Sequence, residues 1–136
     1  MSITGGDILE LTYNHPTLGS GVIYPKAAEG NTLDLGGFRG NDDANSLDGG
    51  GRNIRQLNRN RWMAEFTPSW DMNISLELEK MGALAGHPIE ATWTIQHING
   101  SIYAGTGSPV GDLQADTNAS TFKLKISGGN QLKKIA

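Results

Sequence analysis

The 136-residue chain contains no cysteine, which removes disulfide staples, thiolate metal sites and cysteine nucleophiles and leaves packing alone to hold the fold. It has no apolar run near the roughly 20 residues needed to cross a bilayer as a helix. Its opening residues, MSITGGDILE, lack the basic-then-apolar order of a secretion signal. The expectation is a soluble protein made and kept in the cytoplasm, without a membrane partner. Basic charge is also in short supply: 11 Lys and Arg against 14 Asp and Glu give a net charge of -3. Broad grip on nucleic acid depends on neutralising phosphates, so that class is disfavoured. Nineteen glycines beside 37% hydrophobic residues indicate tight turns and loops rather than long helices. The length suits one domain, residues 1–136, able to bury roughly two thirds of the surface that its unfolded form exposes.

What is present is alternation. In DILELTY, Leu9, Leu11 and Tyr13 share one parity and Ile8, Glu10 and Thr12 the other, which predicts a half-buried strand. VIYPK predicts a short second strand from Val22 to Lys26, confined to an edge by Pro25. No period appears from Ala27 to about Arg52. It returns in NIRQLNRNRWMAEFT, where Ile54, Trp62, Ala64 and Phe66 oppose Arg55, Arg59, Arg61 and Glu65. This predicts one long strand, or two joined by a bulge. Ile74, Leu78, Met81 and Ala85 then recur at the spacing of one helical face, predicting a helix over about residues 73–86 with Asn73 as its cap. IEATWTIQH alternates cleanly, and Asn99-Gly100 predicts a two-residue hairpin turn after it. SPVGDLQADTNAS reads as a loop, and TFKLKIS places Phe122, Leu124 and Ile126 inward. The fold class is therefore mainly β (α+β): a β-sandwich or curled antiparallel sheet with one flanking helix and a long loop over about residues 27–51.

No catalytic or metal constellation emerges. Taking Asn41 as the first position of a calcium loop puts Asp43 and Asn45 correctly, but Ser46 falls where glycine is needed and Arg52 where glutamate is needed. The glycine runs lack the strand-before, helix-after context of a phosphate cradle and no Gly-Lys-Ser or Gly-Lys-Thr follows. His15, His87 and His97 fit no ligand spacing and read as surface or turn residues. No serine sits in a Gly-x-Ser-x-Gly elbow. The expectation is a non-enzyme without cofactor or metal. Arg52, Arg55, Arg59 and Arg61 lack the interleaved aromatics of a nucleic-acid patch and are expected to pair with Asp42, Asp43 and Asp48, in the same copy or a neighbouring one.

The loop is longer than the roughly 12–15 residues usual for structureless connections in a compact domain. It keeps Leu33, Leu35, Phe38 and Leu47, which a purely solvated tether would not need. Its glycines are expected to leave it without fixed structure until these side chains dock on another molecule.

In this order of elements the chain resembles the tail tube proteins of tailed bacteriophages, whose fold is shared by the tubes of contractile injection systems and of type VI secretion. The resemblance spans nearly the whole chain. It rests on GGDILELTYNHPTLGSGVIYPKA, on the glycine- and aspartate-rich loop, on LELEKMGALAGHP leading into IEATWTIQHINGSIYAG, and on FKLKISGGNQLKKI. It implies a virion tail protein made in bacterial cytoplasm, whose partner is itself: hexameric rings stacked into a tube through which DNA passes as cargo. Further implied partners are the sheath of a contractile tail, the tape measure, the baseplate and the terminator. It implies that residues 27–51 reach the adjacent ring, with Leu33, Leu35, Phe38, Arg39, Asp42, Asp43, Leu47 and Asp48 in contact. The inner walls of such tubes tend to be acidic, so Arg55, Arg59 and Arg61 are expected to face a neighbour or the outside. The alternatives are a single-ring terminator or baseplate-adjacent protein, an injection-system tube protein and, from another class, a carbohydrate-binding β-sandwich using its tryptophans and Asp/Asn-rich loops.

Overall fold

Among the described residues strands take up 49% and a single helix 7%, so the core is built where sheet faces meet. The computed structural model describes residues 3–40 and 45–136. Alternation decides the main strands. β1 (Ile8–His15) and β2 (Gly19–Ile23) form a hairpin that pairs on through β9 (Ala91–His97) to β10 (Ile102–Pro109) and β14 (Lys133–Lys134). A second set runs from the end of β10 through β13 (Leu124–Gly128) and β8 (Trp62–Phe66) to the edge strand β3 (Thr32–Asp34). All pairs are antiparallel.

The two sets share β10. Its first part, Ile102 to Gly107, pairs with β9, and Ser108 and Pro109 pair with β13. At the opposite margin the segment after β2 meets the segment after β8, the Lys26 amide donating to the Thr67 carbonyl and the Ser69 amide to the Tyr24 carbonyl. The sheet is thereby curled on itself around one core. Leu11, Trp93 and Ile95 come from one set and Trp62, Ala64, Leu124 and Ile126 from the other, all fully buried.

Where β10 changes partners, backbones approach too closely for side chains. A Cβ on Gly107 would lie 2.4 Å from the Ser127 carbonyl oxygen, and one on Gly128 would lie 1.9 Å from that of Thr106. Two buried indoles fix the same place: Trp62 Nε1 donates to the Thr106 carbonyl at 3.1 Å and Trp93 Nε1 to the Gly107 carbonyl at 2.8 Å. Each buried N–H is thus satisfied.

Several local expectations are corrected. A bulge between Ile8 and Glu10 shifts the parity of β1, so Ile8, Leu11, Tyr13 and His15 point inward and Leu9 is exposed. The second strand starts earlier than Val22, and Pro25 instead bridges Pro68. Helix α1 spans Glu77–Ala85 rather than beginning at Asn73, because Asp71 claims the preceding turn: its carboxylate accepts the amides of Asn73 and Ile74. Leu76 enters the helix in a left-handed conformation with no side-chain cap. Met81 and Leu84 are buried and Leu78 packs against the core, whereas Ile74 is 83% exposed ahead of the helix and Ala85 is exposed. The β9–β10 connection is a three-residue loop in which Gly100 alone takes the positive φ. The segment 108–120 contains a short strand, β11 (Ala115–Asp116), paired with β12 (Thr121–Phe122).

Gly128→Ala is expected to lower the thermal midpoint by at least about 5 °C, since neither Thr106 nor the crossing backbone can yield. Gly129→Ala, next in sequence with open space around its Cβ position, should leave the midpoint nearly unchanged. Equal melting of the two variants would show that the crossing is not the constraint described.

Candidate functional site: a projecting arm beside an uncharged sheet face

Residues 35–61 do not form a structureless loop. Among the described residues they build a two-tiered hairpin that stands away from the core. β4 (Gly37–Gly40) pairs with β7 (Leu57–Asn60), and β5 (Ser46–Leu47) pairs further out with β6 (Asn53–Ile54). The expected long strand is therefore three pieces, β6, β7 and β8. Only the last reaches the core; Ile54 is 52% exposed. Strands of two to four residues broken by glycine leave no period to read, which is why this segment escaped prediction.

The glycines have structural places. Gly36 and Gly37 adopt φ of 74° and 94°, open to a residue without Cβ. They lie against the backbone of Trp62 and the side chain of Gln131, which leaves no room for a larger residue. The Leu132 amide donates to the Leu35 carbonyl at 3.0 Å, tying the arm's root to the body. At the tip, Gly49, Gly50 and Gly51 make the turn. The Asp48 carboxylate accepts the amides of Gly50 and Arg52 at 2.9 Å and the Arg52 guanidinium at 2.6 Å.

Two of the arm's arginines pair within the copy among the described residues. Asp48 engages Arg52, and Arg39, expected to contact a neighbour, engages Asp34. That pair holds the Asp34 carboxyl below its usual range, Arg39's hydrogen bond being the largest cause and the Gly36 amide the next. Among the described residues Arg59 meets no carboxylate; its guanidinium stacks over the Phe38 ring at 4.6 Å. Arg55 reaches over Gly40, and Arg61 is exposed where β7 gives way to β8. Asp42 and Asp43 lie outside the described residues.

Pairing of Phe38 with Arg59 and of Gly40 with Leu57 puts Phe38, Leu57 and Arg59 on one face of the arm. Phe38 is 63% exposed, Leu57 52% and Leu47 70%, while Leu33 and Leu35 nearer the root are less so. The Phe38 face overlooks a groove of about 710 Å³ whose floor is β10, with Ala104, Thr106, Gln131 and Lys133 among its lining. The groove opens onto the outward face of the first strand set. There Ser20 and Val22, Thr12 and Asn14, Thr92 and Thr94, and Ala104 and Thr106 stand side by side in register. None of these eight side chains is charged. Alternate polar positions carry no sequence signature, so this face becomes visible only once four strands are aligned.

The other candidates do not converge. His15 is buried rather than on the surface, and it holds the turn after β1: its Nδ1 accepts the amides of Thr17 and Leu18 and its Nε2 donates to the Ile89 carbonyl at 2.8 Å. His87 packs edge-on against it. Among the described residues no group of three His, Asp or Glu side chains stands close enough to hold a metal ion, and no helix is long and apolar enough to cross a membrane.

The Asp48 carboxyl is held below its ordinary range by the amide and then the guanidinium of Arg52, with the amides of Gly50 and Gly51. A depressed carboxyl favours the folded tip above the ordinary carboxylate range and withdraws that support as pH falls through its lowered value. Amide signals of residues 49–52 should therefore lose dispersion on acidification below that range while core signals persist, measured by NMR; a tip indifferent to acid would contradict the assignment. No protein-family model matches the chain, and no curated protein sequence matches it.

Proposed function

We propose that the chain is a structural subunit that assembles with copies of itself into rings stacked as a tube, of the kind formed by phage tail tube proteins. The arm carries this reading. It contributes nothing to the buried core, yet it presents Phe38, Leu47, Ile54 and Leu57 at more than half exposure. Phe38 and Leu57 share one face of it, and apolar side chains exposed on a projection mark a contact surface. The arm is held at its root by Gly36 and Gly37 and closed at its tip by Asp48, so it meets a partner with little ordering still to pay for.

Two further features support the same reading. β2 and β3 end the strand path, and edges of this kind invite pairing with another chain. The eight aligned positions of the outward face from Ser20 to Thr106 carry no charge, which suits a surface that nucleic acid slides past, while Lys133 beside Ala104 and Arg59 of the arm stand at its margin. In this reading the subunit would sit in a virion tail, with DNA as cargo and other tail components at the tube's ends. The carbohydrate reading loses its platform: Trp62 and Trp93 are fully buried, and Trp70 is half-buried with its indole donating to Glu79 at 3.3 Å.

Negative-stain microscopy of concentrated protein should show rings or filaments of uniform width. Phe38→Ala should raise the concentration needed for them several-fold while moving the thermal midpoint of the dilute protein by no more than about 3 °C, since little of its area is buried in the free subunit. Closed single rings that never stack would favour a terminator-like or baseplate-adjacent part. A monomer at every concentration would contradict the proposal.

A further inference from the structure

The groove between the arm and the sheet has a charge unlike that of the chain as a whole. The protein carries 14 acidic residues against 11 basic ones. The groove of about 710 Å³ is nevertheless lined by Arg59 and Lys133 and, among the described residues, by no Asp or Glu. Neither cation makes an ion pair among those residues. The volume falls within the roughly 300–1,000 Å³ usual for small-ligand sites. Two cations without counter-charges in one concavity favour an anionic occupant.

The rest of the lining narrows the kind of anion. Phe38 is 63% exposed and carries the Arg59 guanidinium over its ring at 4.6 Å, so a flat ligand ring meets an aromatic group and a planar cation together. No aromatic residue interrupts Arg52 to Arg61 in the sequence; the pairing of β4 with β7 supplies one by setting Phe38 opposite Arg59. Asn130 and Gln131 bring carboxamides to the same groove, the group whose donor and acceptor match a nucleobase edge. The exposed Thr106 stands on the floor, and the rim at Gly129 is open, with nothing within 4 Å of its Cβ position. An acidic peptide would engage the cations and leave the ring idle. A nucleoside phosphate engages cations, ring and carboxamides at once.

We propose that this groove is a binding site for a nucleoside phosphate, with the base against Phe38 and the phosphate between Arg59 and Lys133. Every group it uses belongs to one copy of the chain, so the site does not depend on self-assembly. Lys133 pairs in register with Ala104, which places the phosphate end where the uncharged sheet face stops.

The test titrates the whole chain, dilute and at low salt, with adenosine monophosphate and follows it by NMR. Saturable shifts are expected at Gly37, Gly105, Gly129 and Gln131. Adenosine and inorganic phosphate, each lacking one half of the ligand, should bind at least about tenfold more weakly. Lys133→Gln, at an exposed position outside the core, should weaken adenosine monophosphate about tenfold, the loss of one charge-assisted contact, and leave the thermal midpoint in place. Phe38→Ala should weaken adenosine monophosphate and leave inorganic phosphate unchanged. The same shifts at lower concentrations of a short single-stranded oligoadenylate would support the site and name a strand, rather than a free nucleotide, as its source. Shifts that never saturate, inorganic phosphate that binds as well as the nucleotide, or binding indifferent to Lys133→Gln would overturn the site. A peptide of consecutive aspartates that binds more tightly than the nucleotide would overturn the ligand and give the groove to an acidic protein segment. All of these outcomes are read on dilute subunits, so they leave the tube reading to be decided by microscopy.

Discussion

The structure turns on the place where β10 leaves one strand set for the other. Gly107 and Gly128 let two backbones touch there, and Trp62 and Trp93 clamp the bend by donating from buried indoles to consecutive carbonyls. Each element of this contact needs the others. Any side chain in place of either glycine would force the strands apart, and separated strands would leave two indole N–H groups without acceptors inside an apolar core. With the crossing fixed, β9 and β13 are held on opposite sides of it. Leu11, Ile95, Leu124 and Ile126 then close over one interior.

A core secured in this way sets the limits of what it can support. The strand path ends at β2 and β3, and the arm leaves the body immediately before β8, whose first residue is Trp62 itself. The root of the arm lies against that same backbone: a Cβ on Gly36 would fall 2.7 Å from the Trp62 amide nitrogen. The direction of the arm is therefore set beside the strand crossing that Trp62 helps to hold, while its surface remains outside the core. That combination of a rigid base and exposed apolar side chains suits a part made to meet another subunit. It also explains how Arg59 and Phe38 can stack in solvent, since the short ribbon of β4 and β7 holds them opposite each other.

Much of the core was legible in the sequence. The alternation of Ala91, Trp93 and Ile95, of Trp62, Ala64 and Phe66, and of Phe122, Leu124 and Ile126 placed these residues inward, and all are buried. Long strands with one wet face write their period plainly. The bulge in β1 was not legible, because one extra residue inverts the parity of Ile8 without changing composition. The helix start was misplaced because Asp71 and Asn73 are both plausible turn-formers and only the folded geometry decides between them. Of the arm, the exposed anchors Phe38 and Leu47 were legible as apolar residues out of place in a loop. Its pairings were not: Arg59 with Phe38 depends on a register between segments some twenty residues apart, and Asp34 meets Arg39 only once the chain turns through Gly36 and Gly37 between them.

The central claim is that the arm and the free edges are ordered surfaces awaiting copies of the same chain. Hydrogen exchange measured at low and high protein concentration addresses it most directly. The account predicts that amides of β2, β4 and β7 gain protection as concentration rises, while those of β9 and β13, already inside the sheet, exchange at the same slow rate throughout. Exchange that is independent of concentration at every one of these amides would contradict it.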